Sequence, residues 1–87
     1  MPRTFTQDEL QALARLYEAR NGLFGDENTP VSLRLLATFM GKTNEEEADR
    51  IMQQLENDKL VRRIEHQHRI FFFMTDQGAA EFEYANA

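Results

Sequence analysis

Between Ser32 and Leu60 the chain reads SLRLLATFMGKTNEEEADRIMQQLENDKL, and this stretch restricts the possible folds more than any other. Leu33, Leu36, Ala37 and Met40 follow the 3.6-residue repeat of a helix with one apolar face, which starts directly after Ser32, a residue type suited to the N-cap. Gly41 then breaks the pattern with a residue free to take a left-handed turn. Beyond it, Ala48, Ile51, Met52 and Leu55 recur at i, i+3, i+4 and i+7 and form a second apolar stripe. Thr43 and Glu46 have the spacing of a capping box, in which the hydroxyl accepts from the third helical N–H and the Glu side chain reaches back. Two short helices, over about 32–40 and 43–58, with facing stripes and a glycine turn make a helix-turn-helix unit.

The flanks supply the rest of a small domain. Thr6 and Glu9 form another capping box, with Phe5 positioned to staple onto Leu10. A helix over about 6–21 follows on Leu10, Leu13, Ala14 and Tyr17, and the Asn21-Gly22 pair suits a left-handed cap at its end. From Leu23 to Pro30 the turn formers Gly25, Asp26, Asn28 and Pro30 mark a connection, and Thr29 is biased towards extended geometry by the proline after it. Val31 is a candidate strand stub. Segments 60–65 and 69–74 are rich in Val, Ile and Phe and are joined through His66, Gln67 and His68, which predicts a hairpin. Thr75 and Asp76 begin a final helix over about 75–85 that carries Ala79, Phe82 and Ala85. The predicted class is α+β and mostly helical.

An 87-residue chain with 41% apolar content and no internal repeat is expected to form one domain over 1–87. The absence of Cys removes disulfides, thiolate catalysis and Cys-ligated zinc. No run approaches the roughly 18 apolar residues of a membrane span, and MPRTFTQDEL lacks the apolar region of a secretion signal, so a soluble cytoplasmic protein is expected. The net charge of -5 opposes nucleic-acid binding in general terms, but the charges are segregated. Residues 43–58 carry Arg50 against Glu45, Glu46, Glu47, Asp49, Glu56 and Asp58, whereas 59–69 carry Lys59, Arg62, Arg63 and Arg69 against Glu65 alone.

In order along the chain, three motifs resemble the winged-helix domains of MarR-type and PadR-type bacterial transcription regulators. Leu36-Ala37 with Gly41 resembles the L-A-x-x-x-G turn before the recognition helix. Leu55 with Lys59-Leu60-Val61-Arg62-Arg63 resembles the L-x-x-x-G-L-V-x-R start of the wing, with Lys59 where that pattern has Gly. Phe72-Phe73-Met74-Thr75-Asp76-Gln77-Gly78 resembles the Y-x-L-T-x-x-G that closes the hairpin. The resemblance covers residues 6–85. It implies a winged helix-turn-helix with a three-helix core, a two- or three-stranded antiparallel wing and a C-terminal helix, acting as a dimeric DNA-binding regulator. Its DNA contacts would be Lys42, Thr43, Asn44 and Arg50 at the recognition helix, and Arg62, Arg63, His66, His68 and Arg69 at the wing.

Some residues admit a different reading. Glu45, Glu46, Glu47 and Asp49 occupy the turns that would approach phosphates, where carboxylates are repelled. They suit instead an acidic winged-helix interaction module, an adaptor or DNA mimic for a basic protein partner. Ile70, Phe72 and Met74 alternate, and the resemblance implies that they face the core; Phe71 and Phe73 are then expected on the opposite sheet face, where with Val61 they would form an apolar contact or homodimer seam, or be covered by the last helix or the N-terminal segment. His66 and His68 have an H-x-H spacing on one strand face, but only Glu65 lies near enough to assist, so no metal and no cofactor are expected. No nucleophile, acid-base pair or phosphate-binding glycine loop is spaced for catalysis, and an enzyme is not expected.

Overall fold

Thr6 starts the first helix, α1 (Gln7–Asn21), with the predicted capping box: its Oγ1 accepts from the Glu9 amide at 3.2 Å and its own amide donates to Glu9 Oε1 at 2.9 Å. The computed structural model describes residues 4–22 and 29–86, so the turn formers Gly25, Asp26 and Asn28 lie outside the described residues. The buried face of α1 is centred on Ala12, Leu13 and Leu16, rotated from the stripe expected on Leu10, Leu13, Ala14 and Tyr17. Its end also differs, because Gly22 is extended at φ -72° and the Asn21 side chain, rather than a left-handed cap, donates to the Tyr17 carbonyl at 3.1 Å.

The stub β1 (Val31–Ser32) leads into α2 (Leu33–Phe39), which Ser32 caps through the Leu35 amide. At its far end Gly41 takes φ 72°, while the Gly41 amide donates to Thr38 and the Lys42 amide to Ala37. These two bonds are the Schellman pair that closes a helix on a left-handed residue. The helix α3 (Glu45–Asn57) begins one residue later than the Thr43 box required. Asn44 is its N-cap, with Oδ1 accepting from the Glu46 amide at 2.8 Å. Asn caps at least as well as Thr, and the shift places Glu45, Glu46 and Glu47 together in the first turn, where the helix dipole favours them.

A second Schellman pair ends α3: Lys59 donates to Glu56 at 2.9 Å and Leu60 to Leu55 at 3.0 Å. Here the left-handed residue is Lys59 at φ 63°. The chain then forms β2 (Val61–His66) and β3 (Arg69–Met74), joined by Gln67 and His68 at φ 50° and 65°. Two consecutive positive φ values make the hairpin turn whose twist matches that of the strands, and this chain builds it without glycine. All three strands are antiparallel in the order β1-β3-β2.

One face of the sheet packs on the helices. Val31, Val61, Phe72 and Met74 point inwards to join Leu13, Leu16, Leu36, Met52, Leu55 and Leu60 in one core, with Ile51 and Ile70 packed at its edge. The last helix, α4 (Asp76–Ala85), is capped by Thr75 and seated at the base of the hairpin. Thr75 Oγ1 donates to the Lys59 and Leu60 carbonyls at 2.7 and 3.0 Å and accepts from the Gly78 amide at 2.9 Å. A β-carbon on Gly78 would lie 2.0 Å from the Leu60 carbonyl oxygen, so only glycine permits this approach.

Two substitutions check these junctions by chemical denaturation. Lys59→Gly is expected to stabilise the protein by about 1 kcal/mol, because it relieves a β-carbon at positive φ. Gly78→Ala is expected to destabilise it by at least about 2 kcal/mol, since backbone must move to admit the methyl group.

Candidate nucleic-acid interface

The exposed surface of α3 divides into two sides of different chemistry. Its central outward line carries Glu46, Arg50, Gln53 and Asn57, all exposed and spaced along one helical face. The side towards the hairpin carries Glu45, Asp49 and Glu56. Asp49 Oδ1 accepts from Arg63 Nη1 at 2.7 Å, and both side chains are mostly buried at 19% and 29% exposure. Glu56 lines a hollow with Arg62 and Arg63, and Glu45 lines another with His68 and Arg69. The acidic and basic blocks that are adjacent in sequence thus face each other across the α3–hairpin junction.

This arrangement sorts the expected DNA-contact residues. Arg63 braces the hairpin against α3 and lies 5.9 Å from the centre of the Phe72 ring. Lys42 is tied to α1, with Nζ 3.1 Å from Asp8 Oδ2, and this hydrogen bond holds its ammonium pKa above the ordinary value, aided by the charge of Glu47. Thr43, displaced from the N-cap, is exposed, and the Asn44 side chain is occupied by the Glu46 amide. Arg50, Arg62, Arg69, His66 and His68 are exposed and form no ion pair among the described residues. Arg34, at the start of α2, belongs with them, although no sequence motif marks it. Only the packing of α2 beside the hairpin tip reveals its position, for it lines the same hollow as His68 and Arg69. Gln53 and Gln54 are also exposed, on the side of α3 that the 3.6-residue repeat puts opposite Met52 and Leu55.

His66 and His68 do not form the H-x-H pair that their spacing allows. His66 ends β2 opposite Arg69, whereas His68 lies in the left-handed turn, so the two residues do not share a strand face. No group of three or more metal-ligating side chains occurs among the described residues, and no helix there is long and apolar enough to cross a membrane.

Phe71 and Phe73 lie on the sheet face away from the core, both half-buried. Val61 is not with them. The β2–β3 register pairs Val61 with Met74, and its 1% exposure puts it in the core. Alternation along β2 therefore turns Arg62 and Ile64 outwards instead, opposite Phe73 and Phe71. The Arg62 guanidinium lies over the Phe73 ring at 5.5 Å, and Ile64 borders an apolar depression with Pro30, His66 and Phe71.

No protein-family profile matches the sequence, and no curated protein does. Solved structures do match in shape. The Staphylococcus aureus MepR–DNA complex superposes with a TM-score of 0.77 at 16% identity, over 94% of this chain and 62% of that one. A candidate DNA-binding protein from Ralstonia eutropha JMP134 gives 0.77 at 22% identity, over 97% of this chain and 100% of its own length. A MarR-family transcriptional regulator from Silicibacter pomeroyi gives 0.72 at 21%, over 92% of this chain and 49% of that one. The chain thus has the winged-helix fold of these regulators, and it spans 49% to 62% of the length of MepR and the S. pomeroyi protein.

Two braces predict a response to alkali. The Tyr17 hydroxyl donates to Glu83 at 2.9 Å, which raises its pKa above the ordinary 10.0, and Asp8 raises that of Lys42 above 10.5. Both groups bind their proton more tightly when folded. Their contribution is therefore complete below the unfolded-state values and is lost as pH rises through the folded ones. Denaturation midpoints should fall as pH rises above about 10. Tyr17→Phe should reduce this fall, and an equally steep fall in that variant would exclude the Tyr17–Glu83 contribution.

Proposed function

We propose that this chain is a DNA-binding transcriptional regulator that works in the cytoplasm as a dimer, with α3 in the major groove and the β2–β3 hairpin beside the minor groove. The supporting observation is the outward line of α3. Beyond Glu46 it offers Arg50, Gln53 and Asn57, with Gln54 alongside, all exposed. Arg pairs with guanine edges, and Gln and Asn pair with adenine edges. The hairpin adds Arg69 near its tip for phosphates or the minor groove, whereas Arg62 belongs to the outer sheet face; Lys42, Thr43 and Asn44 edge the turn before α3. The occurrence of this fold in MepR bound to DNA supports the same use here. The solved structures that share the fold are named as transcription regulators and DNA-binding proteins, which supports a non-enzymatic role.

The acidic-module alternative has less support. Asp49 is taken up by Arg63, Glu45 and Glu56 lie on the hairpin side, and Glu47 acts on Lys42. Only Glu46 remains on the outward line, which gives a basic partner little to recognise. For the dimer, the strongest surface is the outer sheet face, where Ile64, Phe71 and Phe73 present apolar area around the stacked Arg62.

The DNA reading is checked by fluorescence anisotropy with genomic duplex fragments at about 50 mM salt, where phosphate attraction is least screened. Binding is expected to weaken steeply with salt. Arg50→Ala should lower affinity for the preferred site by about tenfold and flatten sequence preference. Reversing Glu45, Glu46 and Glu47 to Lys should strengthen DNA binding; loss of a basic protein partner without any DNA binding would favour the alternative. The double substitution Phe71→Ser and Phe73→Ser is expected to halve the sedimenting mass while the helical circular-dichroism signal persists. An unchanged dimer would move the seam elsewhere.

A further inference from the structure

The start of α2, the first turn of α3 and the hairpin tip enclose a hollow of about 260 Å³, bordered by Ser32, Arg34, Glu45, His68, Arg69 and Ile70. It belongs to neither the outward line of α3 nor the outer sheet face. Arg34 and Arg69 come from segments far apart in sequence, and both are exposed with no ion-pair partner among the described residues. Arg34 stands in the first turn of α2, which has no acidic residue. A cation there opposes the helix dipole, so helix stability does not account for it.

Position supplies the ligand. When a helix enters the major groove and a hairpin approaches the adjacent minor groove, one sugar–phosphate strand must pass between them, since that strand is what separates the grooves. The hollow lies between the start of α3 and the hairpin tip, on the route that strand would take. Two guanidinium groups from different elements suit a phosphate diester, whose oxygens accept charge-assisted hydrogen bonds. Glu45 is the discordant member. Its carboxylate borders the same hollow and forms no ion pair among the described residues.

Resting on the DNA-binding reading above, we propose that this hollow takes one backbone phosphate between Arg34 and Arg69, and that Glu45 is a resident counter-charge opposing it. Glu45 thereby sets affinity. It lowers non-specific attraction to DNA and leaves a net gain only where the α3 contacts to base edges compensate.

The test is anisotropy of a labelled mixed-sequence duplex over a salt series. Arg34→Ala and Arg69→Ala should each weaken binding about tenfold and lower the salt slope by about one. The double variant should lose less than the product of the two, because both residues share one phosphate. Glu45→Gln should tighten binding several-fold, and this gain should vanish in the Arg34→Ala/Arg69→Ala background. Glu46→Gln, on the outward line, should keep its gain there. Wild-type affinity and slope in either arginine variant, or identical behaviour of the two glutamate variants in that background, would overturn the proposal while leaving DNA binding intact. If no duplex binds at about 50 mM salt, the functional reading falls. Inorganic phosphate is then titrated against the backbone amide NMR signals around the hollow: shifts abolished by the double variant would keep an anion site for free phosphate, and none would overturn it.

Discussion

Leu60 joins four elements through its two backbone groups. Its amide donates to the Leu55 carbonyl and closes α3, and its carbonyl accepts from both the amide and the hydroxyl of Thr75. Thr75 in turn ends β3 and caps α4, whose Gly78 lies against the same carbonyl. With the whole residue 1% exposed, the Leu60 backbone groups have almost no access to water, and buried backbone polar groups must find partners within the protein. The angle at which the hairpin leaves α3 is thereby fixed, and with it the separation between the outward face of α3 and the hairpin tip.

Ion pairs refine that geometry. Arg63–Asp49 spans the α3–hairpin junction, Lys42–Asp8 ties the turn before α3 to α1, and Arg20 links α1 to both the Met74 carbonyl and Asp76 at the start of α4. The first of these is mostly shielded from solvent, where a pair with good geometry holds orientation more firmly than an exposed one. Each such pair also removes a charge from the surface. An acidic chain can therefore present a nearly neutral α3 face, because part of the acidity is directed sideways at the wing. Net charge described the molecule poorly here. The direction of each carboxylate, set by the helical repeat, decides the charge of the outward face.

Local rules were enough where a single residue type satisfies a single backbone need. The Thr6–Glu9 box, the Gly41 turn and the Thr75 cap form as their spacings indicate. They fell short where two neighbours could serve equally well. Thr43 and Asn44 are both competent caps, and the difference of one residue decided which groups stand free. At Val61 the hydrophobic pattern was ambiguous, and pairing with Met74 sent it inwards and Ile64 outwards.

The sequence alone determined the order of elements, the glycine and threonine junctions and the core faces of α2 and α3, because these depend on periodicity and on hydrogen bonds within a few residues. Tertiary structure decided which charges remain available. Asp49 meets Arg63 across fourteen positions of sequence, and Arg34 shares a hollow with Arg69 from a different element. Such neighbours are fixed by how helices and strands pack, which residue spacing does not encode.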